Sequence, residues 1–214
     1  MSNETARLEP MTAAARRNAT YAGVSADERR AERRARLIRA AVGLYGERGF
    51  SSVGVKAVCV EAGLSERYFY ESFADRDALL VAAIEAVAAW LFGQLDAAAA
   101  RGATPRERVR LALTAYFELL RANPAEARLF LRDLDGAGPQ VDHARARVLQ
   151  SFVRFLDQIV GRRPTRSFVT AGVVGGVLHV TLAWMHYGFA RPVEGVVDDA
   201  LRLCSVALEP EDRP

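Results

Sequence analysis

The stretch "VKAVCVEAGLSERYFYESFADRDALL", residues 55–80, decides the fold. Val55 to Glu61 is long enough for two helical turns, and "EAG" at 61–63 ends them on a glycine able to take positive φ. Ser65 suits the N-cap of a second short helix, in which Phe69 and Phe73 fall four apart on one face. Asp75 can cap a longer helix running through "ALLVAAIEAVAAWLFGQL". Short helices joined by a glycine-containing turn behind a longer one form a helix-turn-helix pattern.

Working upstream, "SADE" at 25–28 offers a capping box. The helix it opens carries Leu37, Ile38, Ala41, Val42, Leu44 and Tyr45 on one broad face. Arg29, Arg30, Arg33, Arg34, Arg36 and Arg39 lie outside that stripe, and Gly49 ends the helix. Residues 1–24 have no sustained apolar period and carry Arg7, Arg16 and Arg17, which predicts a flexible basic arm. The first 25 residues show no apolar core of a secretory signal.

Downstream, "TPRE" at 104–107 and "NPAE" at 123–126 each set a cap, a proline at the first helical position and a glutamate three after the cap. Pro139, Pro164 and Pro192 stand just inside three further helices. No stretch alternates with period two between hairpin turns, so the expected fold is all-α, with about nine helices.

Composition narrows the function classes. Of 214 residues half are apolar, enough for a sizeable core, and a formal net charge of +3 does not by itself demand a polyanionic partner. Cys59 and Cys204 lie far apart in apolar helical stretches without CxxC spacing, which fits small buried side chains in a reducing compartment. His179 and His186 are seven apart on one helix, roughly 10 Å along the axis at 1.5 Å per residue, too far to share a metal ion. With no nucleophile elbow, dinucleotide fingerprint or phosphate loop, neither catalysis nor a metal or cofactor is expected. Residues 167–190 contain no Asp, Glu, Lys or Arg and are long enough to span a bilayer. Four glycines, two histidines and two threonines in that segment favour a central helix or a dimer seam instead.

The ordered string Gly49-Phe50, Ala62-Gly63-Leu64-Ser65, Tyr70, Phe73 and Leu79 resembles the DNA-binding domain of the tetracycline-repressor-like (TetR) family of bacterial transcription regulators, from about Arg33 to Leu80. The resemblance implies a helix-turn-helix DNA-binding domain over 25–80, behind the arm at 1–24, and an effector-binding and dimerisation bundle over 81–210. It places Ser65, Glu66, Arg67 and Tyr68 among base edges, Tyr70 and Arg76 on phosphates, and Lys56 at a basic position of the second helix. The Thr-Thr that often starts that helix is Val53-Gly54 here, which hands the cap and a phosphate contact to Ser52 or Ser51. Glu71 stands where histidine is common, and its position four after Arg67 predicts an ion pair. Arg33 or Arg36 is a further candidate for backbone phosphate.

The same resemblance implies a cytoplasmic homodimeric repressor of a pseudo-palindromic double-stranded operator, released by a small apolar or aromatic effector. Trp90, Tyr116, His179, Trp184 and His186 are the candidate effector contacts. Gly172 and Gly176, with Val197, Leu201, Cys204 and Leu208, are the candidate dimer interface. Two other readings fit the same residues: a regulator anchored in a membrane through 167–190, and a helical protein-interaction module that does not bind DNA.

Overall fold

The computed structural model describes residues 25–131, 137–161 and 168–208. Among them are nine α-helices and no strand. They are α1 (Ala26–Arg48), α2 (Val55–Ala62), α3 (Glu66–Ser72), α4 (Arg76–Ala99), α5 (Pro105–Ala122), α6 (Pro124–Leu131), α7 (Pro139–Val160), α8 (Phe168–His186) and α9 (Val193–Leu208). The expected arm at 1–24 and Pro164 lie outside the described residues.

Local chemistry sets most of the helix starts. Ser25 and Glu28 close the capping box of α1, and Thr104 and Glu107 close that of α5 behind Pro105. Asp75 accepts from the Ala78 amide at 2.7 Å and starts α4. Three expected caps differ. Asn123 turns back to donate to the Leu119 carbonyl at 2.8 Å, finishing α5 rather than boxing α6 with Glu126. Ser65 occupies the N-cap position of α3 but its side chain makes no cap bond. Gly54 takes the N-cap of α2 with no side-chain bond, because Ser51 and Ser52 are drawn into a 3₁₀ turn, Phe50–Ser52.

Two apolar cores are stacked along the molecule. The first joins α1, α2 and α3 to the front of α4 through Leu37, Val58, Phe69 and Leu80, and is closed by Leu129 and Val148. The second gathers α5 and α9 with the back of α4 and parts of α6, α7 and α8. The expected domain boundary at 80/81 falls within α4, which runs unbroken through both cores. Its Leu79 and Leu80 belong to the first, and its Leu91 and Leu95 to the second. Helix α6 is shared in the same way: Leu129 packs into the first core, Ala127 and Leu131 into the second. It also meets α1 at close range. A Cβ on Gly46 would lie 2.1 Å from the Ala125 carbonyl oxygen, and Arg128 donates to the Gly46 carbonyl at 2.7 Å.

By length and composition α4 and α8 could each cross a membrane. The sequence points to 167–190 as the one such segment; α4 is a second. In α4 half of the apolar window is buried inside the protein; in α8 only 22% is. The bare stripe of α8 runs along Phe168, Gly172, Gly175, His179 and Ala183, with Phe168 93% exposed.

Candidate nucleic-acid interface and internal cavity

Helix α3 is seven residues long and is held from within by Phe69, which is fully buried and packs against Phe73. Gly63, in the left-handed region at φ 62°, makes the turn between α2 and α3. That anchoring leaves Ser65, Glu66, Arg67, Tyr68 and Tyr70 exposed together, with Lys56 and Ser52 exposed on the flanking segments. Tyr70 and Arg76 line one surface recess with Val55 and Ala74.

The outer side chains are cross-braced. Arg67 Nε donates to Glu71 at 3.0 Å, the expected ion pair. Arg33 of α1 approaches the same carboxylate at 3.9 Å, and its guanidinium lies 4.5 Å over the Tyr68 ring. Arg34 stacks on Phe73 in the same manner at 4.6 Å. Arg36 is spent internally: it donates to the Ala62 and Gly63 carbonyls, closing the end of α2. Arg76 is half-buried, donates to the Phe50 carbonyl at 2.6 Å and lies 4.4 Å over the Phe50 ring. Arg33, Arg34 and Arg36 of α1 therefore tie the three-helix unit together. Periodicity locates the face they occupy but not the carbonyls and rings they meet.

In the second core a cavity opens between α5, α7 and α8, with α4, α6 and α9 completing its wall. It is lined by Leu113, Tyr116, Phe130, Phe152, Phe155, Val173, Val177 and Cys204, among others. Of the expected effector contacts only Tyr116 lies in its wall. Trp184 is buried, but its indole N–H is committed to the Arg191 carbonyl at 2.8 Å and its ring is edge-on to Phe117 and Phe189. Trp90, His179 and His186 face outward. A helix apolar all round carries no periodic sign of which side turns inward, and in α8 the inward side is Thr170, Val173, Thr181 and Trp184. Phe130, Phe152 and Phe155, which do form the wall, have no feature in the sequence that separates them from ordinary core.

Burial also sets the chemistry of the polar groups here. It pushes the Tyr116 hydroxyl up to about 12, against the hydrogen bond to Thr181, and the Cys204 thiol up to about 11. Both stay protonated at neutral pH. Burial raises the Cys59 thiol too, with Glu66 adding to it.

The expected dimer residues divide. Val197, Leu201 and Cys204 form the buried face of α9 against the second core, and Leu208 is half-buried on it. The amphipathic stripe of α9 points into its own protomer, packed on α5 and α8. Gly172 is exposed, and Gly176 is half-covered by Leu203, whose methyl would sit 3.3 Å from an added Cβ. Exposed apolar side chains on these two helices include Leu203 and Val206 of α9 and Phe168 and Val169 of α8.

Residues 37–83 match the family model for bacterial regulatory proteins of the tetR family. Among solved structures, the fatty acid degradation regulator FadR from Bacillus halodurans superposes with a TM-score of 0.69 at 15% identity, over 85% of this chain and 97% of its own. The transcriptional regulator FadR from Bacillus subtilis, in complex with stearoyl-CoA, gives 0.69 at 16% identity over 82% and 98%. A TetR-like transcriptional regulator from Rhodococcus sp. RHA1 gives 0.61 at 18% identity over 83% and 97%. The match to the tetR-family model is thus confined to residues 37–83, and the chain as a whole has the fold of these regulators.

Proposed function

We propose that the protein is a cytoplasmic homodimeric repressor whose α3 enters the major groove of a pseudo-palindromic operator and whose internal cavity takes a small apolar effector. The observation that carries this reading is the pairing of two features on one rigid frame. Helix α3 exposes its polar side chains around a buried Phe69, and α6 reaches from the frame holding α3 to the cavity wall at Phe130. In this reading Arg67 and Tyr68 read base edges, with Glu66 accepting from a cytosine amine. Ser52, Lys56, Tyr70 and Arg76 position the unit on phosphates, and Ser65 stands with the base readers at the start of α3. The effector stabilises a state in which the paired α3 helices no longer match half-sites roughly 34 Å apart.

Dimerisation is proposed through the outer faces of α8 and α9, with Phe168, Val169, Gly172, Leu203 and Val206 as its apolar centre. The same face would suit a bilayer, and fractionation of cells separates the two: the protein is expected in the soluble fraction. The regulator reading is tested by fluorescence anisotropy on the DNA upstream of its own gene. A specific complex is expected whose logarithmic affinity falls linearly with the logarithm of salt concentration. Failure to prefer that duplex, or any other recovered by genomic selection, over random DNA sinks the proposal.

A further inference from the structure

Resting on the regulator reading, we infer that the first two turns of α1 form a second DNA-contacting surface, on which Arg29 and Arg30 meet backbone phosphates just outside the base pairs that α3 faces. Residues 25–32 are all exposed, so these turns bury no face. A helix polar all round is either held by its own pairs and caps or is not stable alone. Here the Ser25–Glu28 capping box and the Arg39–Glu32 ion pair at 3.2 Å hold it, which leaves a rigid charged rod in front of the three-helix unit.

The charges on this rod are sorted by side. At about 100° per residue, Arg29, Arg30 and Arg33 fall within an arc of about 100°, and Asp27, Glu28 and Glu32 all lie more than about 100° from its centre. Two of those carboxylates are also engaged along the helix: Glu28 accepts from the Ser25 amide at 2.6 Å, and Glu32 from Arg39. Arg33 fixes where the basic side faces. It approaches Glu71 at 3.9 Å, and its guanidinium lies 4.5 Å over the Tyr68 ring. Arg30 and Arg29 come three and four residues before it, about 5 Å along the axis. They therefore carry positive charge past the exposed start of α3 on the side of Tyr68. A row of guanidinium groups continuing outward from a base-reading helix matches the phosphate backbone, whose charge repeats along a duplex whatever its sequence.

The test is a salt titration, by fluorescence anisotropy, of the full-length protein on the duplex recovered by genomic selection. Arg30→Ala should lower the slope of log affinity against log salt by about 1 per protomer, or about 2 for a dimer, and weaken specific and random duplexes by the same factor. Arg30→Lys should restore the slope. Arg39→Ala removes the same charge from the other side of α1 and should leave the slope as in the parent. Cutting the duplex back to the outer ends of its half-sites should weaken the parent but not Arg30→Ala, and this arm needs no variant to fold for its parent half. An Arg30→Ala slope equal to the parent's, an equal fall in Arg39→Ala, or a parent that binds the trimmed duplex as tightly as the long one overturns the inference and leaves the regulator reading in place. A parent that prefers no duplex over random DNA removes that reading and this surface with it.

Discussion

Arg76 and Tyr70 stand side by side in one surface recess, yet their surroundings assign them different work. Tyr70 is 61% exposed and its hydroxyl makes no described bond within the protein. The Arg76 guanidinium is tied to the Phe50 carbonyl and ring, so its loss removes a charged hydrogen bond inside the three-helix unit. Arg76→Ala should therefore cost stability, about 1–3 kcal/mol, visible as earlier thermal unfolding. Tyr70→Phe should leave unfolding unchanged while weakening specific and random duplexes alike, read by anisotropy. Coincident melting curves for Arg76→Ala and the parent would show that the brace carries no weight. The charge balance of α3 makes sense at this scale. Glu71 orients two arginines from different helices, and Tyr68 is held under one of them, so the exposed groups are positioned before any ligand arrives.

Among the elements, α1 and α6 approach closely at Gly46. Gly46 sits within a helix, where glycine is intrinsically unfavourable, and its place is explained by the Ala125 carbonyl against it. Gly46→Ala should push α6 from α1 and destabilise the protein by about 1–3 kcal/mol as an overpacked junction. Denaturant unfolding checks this, and a midpoint equal to the parent's would contradict it. Helices were legible from the chain because caps, prolines and glycines punctuate it: the Ser25 and Thr104 boxes, Asp75 and Gly63 all act as their chemistry requires. The helix-turn-helix unit was legible for the same reason, with Phe69 and Phe73 at the right spacing. The cavity wall and the inward faces of α8 and α9 were not. In α8 every face is apolar, and in α9 the clear stripe said only that one side is buried, not that it is buried within the same chain. Gly46 and Asn123 show a second limit: what they do depends on backbone atoms brought close by the fold.

At the scale of the whole molecule, the exposed apolar strip on α8 and α9 determines assembly in the proposed reading. Val206, half exposed at 50%, and Leu203 at 39% lie on α9, and the exposed Phe168 opens α8. A charge placed there would have to be desolvated in a dimer but stays hydrated in a monomer. Val206→Arg should thus shift the protein from dimer to monomer in analytical ultracentrifugation without changing its helix content. Operator affinity should fall with it, since a lone α3 reads one half-site. A Val206→Arg protein that still sediments as a dimer would move the interface elsewhere.

Helix α6 has one further consequence. Because its eight residues serve both cores, anything that changes their position is felt in both places at once. In the proposed reading, linkage between the two equilibria has no preferred direction: the factor by which an effector loosens the operator is the factor by which the operator loosens the effector. A copy seated on DNA is thus a poorer sensor than a copy in solution. The concentration at which genes respond would then rise with the number of operator sites, a threshold set jointly by the cavity and by the genome.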